Sequence, residues 1–311
     1  MLERLRDSSF FRVPTYLDNK YTRGVVQLVC GSTKYIGAGI LTSTASVNSG
    51  VGMTYYTGPK KTSELVVLKR PEVVVQPQDK VINKFDVRIN VIAVGSGVNF
   101  ADDDDNEDSL QVNIVKMALE DYSFNPEVLL IVDAGAINVF AEFIARKEIY
   151  KHSINNTVII TPHAKELSDM FRVFGVEASA NDIQAHPEHF AKQASELTGA
   201  VCLLKGAKTV IASDYDTIAL PSSTNWLAQA GTGDVLTGIL AGVLAQNIKS
   251  VQSNTRAFVQ YTALSHSIHS VSAALYNPNG PVPAYNIAQT VPQAISLYVN
   301  DKEKFFGLVE K

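Results

Sequence analysis

The sequence predicts an α/β fold in which helices cover both faces of a mainly parallel central sheet. Short apolar segments rich in β-branched residues recur along the chain, and longer segments of helical character separate them. Near-continuous apolar strands of this kind are typical of parallel sheets that are buried on both sides. The predicted strands are 25–30, 51–56, 91–94, 128–132, 158–160, 200–204 and 210–212.

The pattern changes after Thr209. Two short segments, TVIAS and TIALP, are separated by Asp214-Tyr215-Asp216, which predicts a hairpin at one edge of the sheet. The last third of the chain has helical character, and residues 257–300 contain no Asp, Glu, Lys or Arg. Helices without charged residues are usually buried, either within the domain or against another subunit. We expect a subunit interface here, and therefore a homo-oligomer.

The composition excludes several classes of function. Hydrophobic residues make up 46% of the 311 residues and charged residues 19%, which is enough core-forming material to exclude intrinsic disorder. The net charge of −4 provides no general attraction to nucleic acid or to an anionic membrane surface. A phosphate-bearing ligand must therefore be bound by a local arrangement of residues.

The organisation of the chain predicts one domain over residues 1–311, with roughly the first 20 residues as a lead-in segment, because no linker or internal repeat divides it. The N-terminus lacks the apolar core of a signal peptide, and no apolar window has the ~18 residues of a membrane span. These features favour a cytoplasmic protein. Cys30 and Cys202 lie in apolar strand-like segments, where a free thiol behaves as a small buried hydrophobe, so no disulfide is expected.

Polar or glycine-bearing turns follow most of the predicted strands. They contain Gly31-Ser32, Gly95-Ser96-Gly97, Asp133-Ala134-Gly135, Thr161-Pro162-His163 and Lys205-Gly206. In open α/β sheets, ligands bind outside the carboxyl ends of the strands. We therefore expect these turns to share one rim of the sheet and to form the ligand site.

The strongest local signal is Gly231-Thr232-Gly233-Asp234, which opens a predicted helix. Glycines at a helix start let the backbone approach a ligand closely, and the exposed amides together with the helix dipole form an anion site. A carboxylate conflicts with such a site unless it takes a proton from a hydroxyl group that attacks phosphorus. Asp234 is therefore the candidate base, and Gly231, Thr232 and Gly233 form the candidate anion hole. The alternative is that Asp234 only stabilises the helix N-terminus.

Further motifs occur in a fixed order along the chain. They are Arg23-Gly24, Gly31-Ser32, residues 35–39, residues 49–52, Gly95-Ser96-Gly97, residues 133–138, residues 161–167 and residues 204–211. Together with the glycine-rich helix start, they resemble the ribokinase-like superfamily and, within it, the ADP- or ATP-dependent NAD(P)H-hydrate dehydratases. The resemblance runs from Thr22 to Val299, and the His163 motif with the Lys205-Gly206 loop discriminates best within the superfamily.

The resemblance implies a fold, a reaction and a set of ligands. The implied fold is ribokinase-like. The implied reaction is the dehydration of NADH hydrate or NADPH hydrate, by phosphorylation of the C6 hydroxyl group and elimination of phosphate. ADP or ATP is the implied phosphoryl donor, with Mg²⁺ bridging its phosphates. A separate NAD(P)H-hydrate epimerase is the implied functional partner.

The same resemblance implies roles for individual residues. Asp234 is the implied base. The implied nucleotide ligands are Lys205, Gly206, Ala207, Lys208, Thr209 and Gly233. The implied hydrate ligands are Ala38, Gly97, His163 and Asp234, and no metal ligand is assigned. Two of these residues have structural alternatives, because His163 could simply cap the helix that begins near Ala164 and Lys205 could simply be solvated.

Two other functions stay open, one because small-molecule kinases of the superfamily share the glycine-rich helix start, and the other because some residues depart from the family pattern. Ser96 replaces a proline, Gly135 replaces an aspartate, and Val98-Asn99 replaces Leu-Gly. One alternative is a small-molecule kinase, such as a hydroxyethylthiazole or hydroxymethylpyrimidine kinase, which retains phosphate in its product. The other is a non-catalytic nucleotide-binding protein, in which a carboxylate inside an anion hole has little physical purpose.

Three remaining patterns have structural interpretations. The pairs His186/His189 and His266/His269 lack a third ligand in a recognisable frame, so packing or exposure is expected rather than metal binding. The acidic residues 102–105, 107 and 108 lack the spacing of a calcium loop and predict a solvated loop before a helix N-terminus near Ser109. Gly95-x-Gly97 lacks the third glycine of a dinucleotide fingerprint, which disfavours a Rossmann dehydrogenase.

Overall fold

The computed structural model describes residues 5–6, 11–81, 85–86, 88–100, 107–122, 127–149, 154 and 157–309. Within this part of the chain, nine strands form one sheet in the order β3-β2-β1-β4-β5-β6-β7-β8-β9. The strands are β1 Val25–Val29, β2 Met53–Thr57, β3 Val74–Val75, β4 Val91–Val94, β5 Leu129–Val132, β6 Val158–Ile160, β7 Val201–Leu204, β8 Val210–Ala212 and β9 Thr217–Ala219.

Neighbouring strands from β3 through β7 pair in parallel, whereas β8 and β9 pair antiparallel as a hairpin at the edge. The predicted parallel sheet and the predicted hairpin are both confirmed. Strand β3 was not predicted, because two residues carry too little periodicity to be recognised. The chain runs outward from β1 to β3 and then resumes at β4 on the other side of β1. Such a reversal of strand order opens a crevice at the carboxyl ends of the two central strands.

Helices connect the strands and cover the sheet. They are α1 Ile36–Asn48, α2 Lys60–Lys69, α3 Gln78–Val81, α4 Glu107–Tyr122, α5 Ala136–Ala145, α6 Ala164–Val173, α7 Ala180–Ala185, α8 Pro187–Thr198, α9 Thr232–Gln246, α10 Ile248–Ser253, α11 Thr255–Tyr276, α12 Ala284–Asn300 and α13 Lys302–Val309. A 3₁₀ turn spans Asn225–Leu227. No helix in the described part of the chain has the length and apolarity that a membrane span requires.

Each sheet face packs against its own apolar core. Val26 and Leu28 of β1 face a cluster that includes residues of α9, α11 and α12, whereas Val25 and Val29 face a cluster built from α4 to α8. Both sides of β1 are therefore buried, which explains why the strand sequences are apolar throughout. Cys30 and Cys202 are buried free thiols, as expected.

The uncharged segment 257–300 is explained differently from the sequence-based expectation. Thr255 and residues Ala257–Ala273 of helix α11 are buried within the chain itself. Packing within the described part of the chain is therefore sufficient to explain the absence of charge in residues 257–276, and a subunit interface is not needed. Helix α12 keeps Tyr285 and Val299 exposed. The homo-oligomer remains a prediction, and light scattering would test it.

Helices α1 and α9 approach each other closely at two glycines. An added Cβ on Gly238 would lie 2.3 Å from the carbonyl oxygen of Thr42, and one on Gly242 would lie 2.6 Å from the Cβ of Ser49. Both distances are shorter than a van der Waals contact. Helices α1 and α9 can therefore pack this closely only because positions 238 and 242 of α9 are glycines. This packing also positions the candidate base, which lies on α9.

We expect the substitution Gly238→Ala to destabilise the protein by about 1–3 kcal/mol, since the added methyl group must push α9 away from α1. Urea unfolding monitored by circular dichroism measures this change. Gly307→Ala is the matched control, because nothing lies within 4 Å of an added Cβ on that exposed helical residue. The control should be neutral or slightly stabilising. Equal effects of the two substitutions would contradict the close helix contact.

Candidate active site

Four of the predicted strand-end turns meet at the carboxylate of Asp133, which follows β5. Ser96 Oγ donates to Asp133 Oδ2 at 2.8 Å, and Thr161 Oγ1 donates to Asp133 Oδ1 at 2.7 Å. Lys205 Nζ donates to the same Oδ1 atom at 2.8 Å. These groups follow β4, β6 and β7, so the expected common rim is confirmed. Asp133 joins the turns, although the sequence analysis assigned it no role.

Asp133 is held as a buried anion. Its side chain is only 3% exposed. Burial by itself raises the pKa of Asp133, but the ammonium group of Lys205 and the two hydroxyl donors more than offset this, so the pKa lies below its usual value. Ser96 is one of those donors, which gives the departure from the family's proline a structural purpose. The carboxylate therefore stays charged and fixes Lys205.

Helix α9 begins at the glycine-rich sequence. Gly231 is the N-cap residue and adopts a φ of +91°, in the left-handed region that favours glycine. The first amides of a helix have no acceptor inside the helix, so residues 232–234 present their N–H groups outward. Thr232 Oγ1 donates to the carbonyls of Leu227 and Gln229, which anchors the preceding segment to the helix start. The local geometry fits the predicted anion hole.

Asp234 occupies the third position of helix α9 and is largely buried. Burial, together with the negative charges of Asp133 and Glu166, raises its pKa to about 7 against the opposing effect of the Lys205 charge. A carboxyl group with a pKa near neutrality can both accept and release a proton at physiological pH. The environment of Asp234 therefore suits a general base and exceeds what stabilisation of a helix N-terminus requires.

Lys205 lies between Asp133 and the start of helix α9. Its Nζ atom is 3.8 Å from Glu166 Oε2. A Cβ added to Gly233 would lie 3.5 Å from the same Nζ atom. Burial lowers the pKa of Lys205, but the charges of Asp133 and Glu166 outweigh burial and leave the pKa above its usual value. The amine is therefore a fixed cation beside the candidate anion hole. The alternative of a merely solvated lysine is wrong.

A cavity of about 710 Å³ opens next to Lys205. It brings together most of the predicted nucleotide ligands, namely Lys205, Gly206, Ala207, Thr209 and Gly233, and it also includes Thr232 and His163. Lys208 does not line it, because its side chain pairs with Glu188 at the surface.

Among the predicted hydrate ligands, Gly97 contacts Ala38: an added Cβ on Gly97 would lie 2.3 Å from the Ala38 Cβ.

His163 is the N-cap of helix α6. Its Nδ1 accepts from the amides of Lys165 and Glu166, and Glu166 Oε2 accepts from the His163 amide, which completes a capping box. The capping alternative is thus confirmed. The ring is about half exposed and lies at the cavity. Because Nδ1 is used as an acceptor, a ring proton lies on Nε2, which is 3.4 Å from Glu166 Oε1. Substrate binding by this nitrogen remains a prediction.

Comparisons with known proteins now add to this geometry. A family model described as NAD(P)H-hydrate dehydratase matches residues 26–291. The chain belongs to this family. A bifunctional NAD(P)H-hydrate repair enzyme of Synechocystis sp. is 32% identical over 240 residues, which are 73% of this chain and 41% of that protein. The chain spans between 41% and 54% of the length of such bifunctional relatives.

Two further relatives of this dehydratase-family chain are similar along most of their own length. The ADP-dependent (S)-NAD(P)H-hydrate dehydratase of Neisseria meningitidis is 28% identical over 246 residues, 78% of this chain and 77% of that one. The structure of the ADP/ATP-dependent NAD(P)H-hydrate dehydratase of Bacillus subtilis, co-crystallised with ATP and Mg²⁺, superposes with a TM-score of 0.70 at 23% identity and covers 96% and 97% of the two chains. This likeness confirms the ribokinase-like α/β fold.

One sequence-based interpretation needs correction in this dehydratase-family structure, and another is confirmed but incomplete. Asp108 is not solvated: it is fully buried, and its carboxylate accepts from the Thr33 amide at 2.8 Å and from Thr33 Oγ1 at 2.6 Å. It thereby fixes the turn after β1. Residues 102–105 lie outside the described residues. His266 and His269 are buried as expected, but they also line the cavity, which their spacing alone could not reveal.

Metal binding is limited by the available side chains. Among the described residues, no group of three or more His, Cys, Asp or Glu side chains is arranged to hold a metal ion. The oxygen atoms of Asp133 are already used by three donors. Glu166, at 21% exposure, is the more accessible carboxylate beside Lys205. The donor set therefore fits Mg²⁺ carried by nucleotide phosphates, not a cage made by the protein.

Proposed function

We propose that this protein dehydrates NADH hydrate or NADPH hydrate with ADP or ATP as phosphoryl donor. The observation that carries the proposal is Asp234, a largely buried carboxyl group with a pKa of about 7 at the start of helix α9, next to the amine of Lys205. A base for a hydroxyl group and cations for a phosphoryl group are what such a transfer requires. Membership of the NAD(P)H-hydrate dehydratase family and the name of the Neisseria relative support the substrate.

The reaction begins at the C6 hydroxyl group of the hydrated nicotinamide ring. Asp234 accepts the hydroxyl proton while the oxygen forms a bond to the terminal phosphorus of the nucleotide and the bridging P–O bond breaks. The amides at residues 231–233 and the Lys205 amine stabilise the negative charge on the transferring group. Phosphorylation converts hydroxide, a poor leaving group, into phosphate. The lone pair of the ring nitrogen then expels phosphate, and loss of a proton from the neighbouring carbon restores the dihydronicotinamide.

The two substrates occupy different sides of Asp234 in this proposal. The nucleotide lies in the 710 Å³ cavity, against Gly206, Ala207, Thr209 and Gly233. The hydrate lies toward Ala38 and Gly97, with the Nε2 atom of His163 as a donor to it. Lys208 is placed at the outer edge of the nucleotide loop. The protein thereby holds the hydroxyl group and the phosphoryl group on either side of one carboxylate.

Magnesium, when bound with the nucleotide, neutralises phosphate charge. Glu166 is the residue of this chain that would hold it or one of its waters, because its side chain is 21% exposed whereas Asp133 is 3% exposed and already accepts from three donors. We further propose that the protein is cytoplasmic and works together with an NAD(P)H-hydrate epimerase.

The decisive assay supplies purified protein with NADH hydrate, Mg²⁺ and either ADP or ATP. The expected result is recovery of the reduced nicotinamide absorbance together with release of free phosphate, and the nucleotide that supports it is the donor. Phosphate retained in an organic product would instead establish the kinase alternative. Nucleotide binding without turnover of hydrate or of a panel of small alcohols would establish the non-catalytic alternative.

The pH dependence of turnover should follow Asp234. Since the base must be deprotonated, turnover should increase as the pH rises through about 7. Asp133→Asn removes a negative charge that raises the pKa of Asp234, so the midpoint should move to lower pH by about half a unit to one unit. A pH profile of kcat measures this. Asp18→Asn, in the N-terminal segment, is the control and should leave the midpoint unchanged. An unmoved midpoint in folded Asp133→Asn would contradict the coupling.

A further inference from the structure

A second cavity, of about 1260 Å³, lies at the end of the sheet opposite to the candidate active site, and we call it the distal cavity. Its walls include Gly24, which precedes β1, and Asn90, which precedes β4, so it opens at the amino ends of the strands. Helix α9 begins with Thr232 at the proposed nucleotide cavity and ends with Gln246 at the distal cavity. Its 15 residues span about 22 Å, so the two cavities are separate sites.

The walls of the distal cavity carry more positive than negative charge. Among the described residues, three cationic side chains and one carboxylate line it: Arg12, Lys249, Arg256 and Asp18. Asp18 Oδ1 accepts from the Arg12 guanidinium and from Thr22 Oγ1, so these two charges neutralise each other. Within the part of the chain that the structure describes, no carboxylate pairs with Lys249 or Arg256. Two unpaired cations therefore line this cavity.

Helix α11 begins at the distal cavity. Asn254 is its N-cap residue, and its side chain accepts from the amide of Ala257 at 2.8 Å. The positive end of the helix dipole lies here, where an acidic residue in the first turn is favourable. Helix α11 has no acidic residue in its first turn and carries Arg256 there instead. An anion from outside the chain would therefore be stabilised by the helix dipole, by Arg256 and by Lys249.

A buried amide lies one helical turn further along the same wall. Gln260 is 7% exposed and lines the distal cavity, and its side chain has no hydrogen-bond partner within the described part of the chain. Because Gln260 follows Arg256 by four residues, the two side chains lie on one face of helix α11. Leu17 and Tyr21 line the cavity with exposed apolar surface. Apolar walls with a few convergent polar groups are typical of small-molecule sites.

We propose that the distal cavity binds a small phosphate ester. The phosphate group lies at the start of helix α11 between Lys249 and Arg256. The amide of Gln260 donates to an oxygen of the ester, and the organic part lies against Leu17 and Tyr21. A phosphate monoester carries nearly two negative charges at neutral pH and so balances both cations, which a single carboxylate does not.

A nucleic acid fits the distal cavity less well, because two unpaired cations neutralise few phosphates and the whole chain has a net charge of −4. The inference does not rest on the proposed function, since no residue of the nucleotide cavity takes part in it.

The test is isothermal titration calorimetry with phenyl phosphate as the probe. Arg256→Gln should weaken binding about fivefold, the upper end for an exposed charge pair, and Arg256→Gln/Lys249→Gln about tenfold or more. Gln260→Leu should also weaken binding about fivefold. It should not lower the melting temperature, because the amide has no hydrogen bond within the protein to lose. Arg146→Gln, at the exposed end of helix α5, is the matched control and should leave the affinity unchanged.

Two further ligands separate the parts of the probe. Phenol should not bind measurably, and inorganic phosphate should bind more weakly than phenyl phosphate. Equal affinity for phenyl phosphate and inorganic phosphate would overturn the assignment of an ester, and binding of phenol would overturn the anion position.

The candidate anion hole is the other place for a phosphate group in this protein. A probe bound there would be insensitive to Arg256→Gln and sensitive to Lys205→Met, the reverse of the expected pattern. That pattern, or absence of phenyl phosphate binding, would overturn the inference and leave the proposed function untouched. A lower melting temperature of Gln260→Leu with retained affinity would show that the amide serves the fold, and would also overturn it.

Discussion

Asp234→Asn should reduce turnover roughly 100- to 10,000-fold, the range that a positioned general base contributes. The amide has the shape of the carboxyl group but cannot accept the hydroxyl proton. The affinity for ADP should stay nearly unchanged, because Asp234 has a pKa of about 7 and at neutral pH already loses about half of its charge. Turnover is measured with the coupled absorbance and phosphate assay, and affinity by calorimetry.

The control for Asp234→Asn is Asp214→Asn, at an exposed position in the β8–β9 hairpin. It makes the same chemical change far from the candidate anion hole and should alter neither turnover nor the affinity for ADP. Near-normal turnover of Asp234→Asn would remove Asp234 as the base. An equal loss of turnover and nucleotide affinity would show that the carboxylate acts on binding and not on the proton.

Lys205→Met should have the second large effect, on stability as well as on turnover. It leaves the Asp133 carboxylate, 3% exposed, without its cation. Breaking a buried ion pair costs about 3–5 kcal/mol, and the hydroxyl donors of Ser96 and Thr161 place the expected value near the lower end. Loss of the amine beside the anion hole should also reduce turnover about 100- to 1,000-fold. Thermal unfolding and the turnover assay measure the two effects separately.

The pH dependence of the stability loss in Lys205→Met tests whether the unpaired charge of Asp133 is its cause. The pKa of Asp133 in the native protein lies below that of an aspartate in the unfolded chain. The charged carboxylate therefore stabilises the native protein at pH values above the unfolded pKa, and this stabilisation is lost as the pH falls through the lower native pKa. In Lys205→Met, burial raises that pKa instead. The difference in stability between the two proteins should therefore shrink as the pH falls through the raised pKa of Asp133 in the variant, towards the ordinary value of about 4.

Two comparisons isolate the buried pair. Lys208→Met, on the same loop, breaks an ion pair in which both side chains are about half exposed, and such pairs contribute about 0–1 kcal/mol. The double variant Asp133→Asn/Lys205→Met removes both charges and should regain part of the stability without regaining turnover. Equal destabilisation by Lys205→Met and Lys208→Met would contradict the buried pair.

Much of the fold followed from local patterns. The strand segments 91–94, 158–160 and 210–212 were predicted with the bounds that the structure has, because apolar β-branched runs and flanking turns are local features. The predicted segments 25–30 and 128–132 each differ from the observed strand by one residue at one end. The anion-hole geometry at Gly231 was also predictable, since a glycine before a helix and a carboxylate in its first turn are readable from consecutive residues.

The site was predictable only where its members are close in sequence. Asp133 and Lys205 are 72 residues apart and meet because β5 and β7 both flank β6 in the sheet order. Asp108 reaches Thr33 across 75 residues. His269 and Thr232 line the same cavity because helix α11 packs against helix α9. A sequence pattern contains no information about such distances until the strand order is known.

The sequence by itself determined the class of fold, the position of the glycine-rich helix start and the candidate base, because each depends on residues within one or two turns of chain. The tertiary structure decided what Asp133 does, which cation serves Asp234, and that helix α11 is buried in this domain. These outcomes depend on which strand ends are neighbours. Burial and nearby charge, which together place the pKa of Asp234 near neutrality, exist only once those ends are brought together.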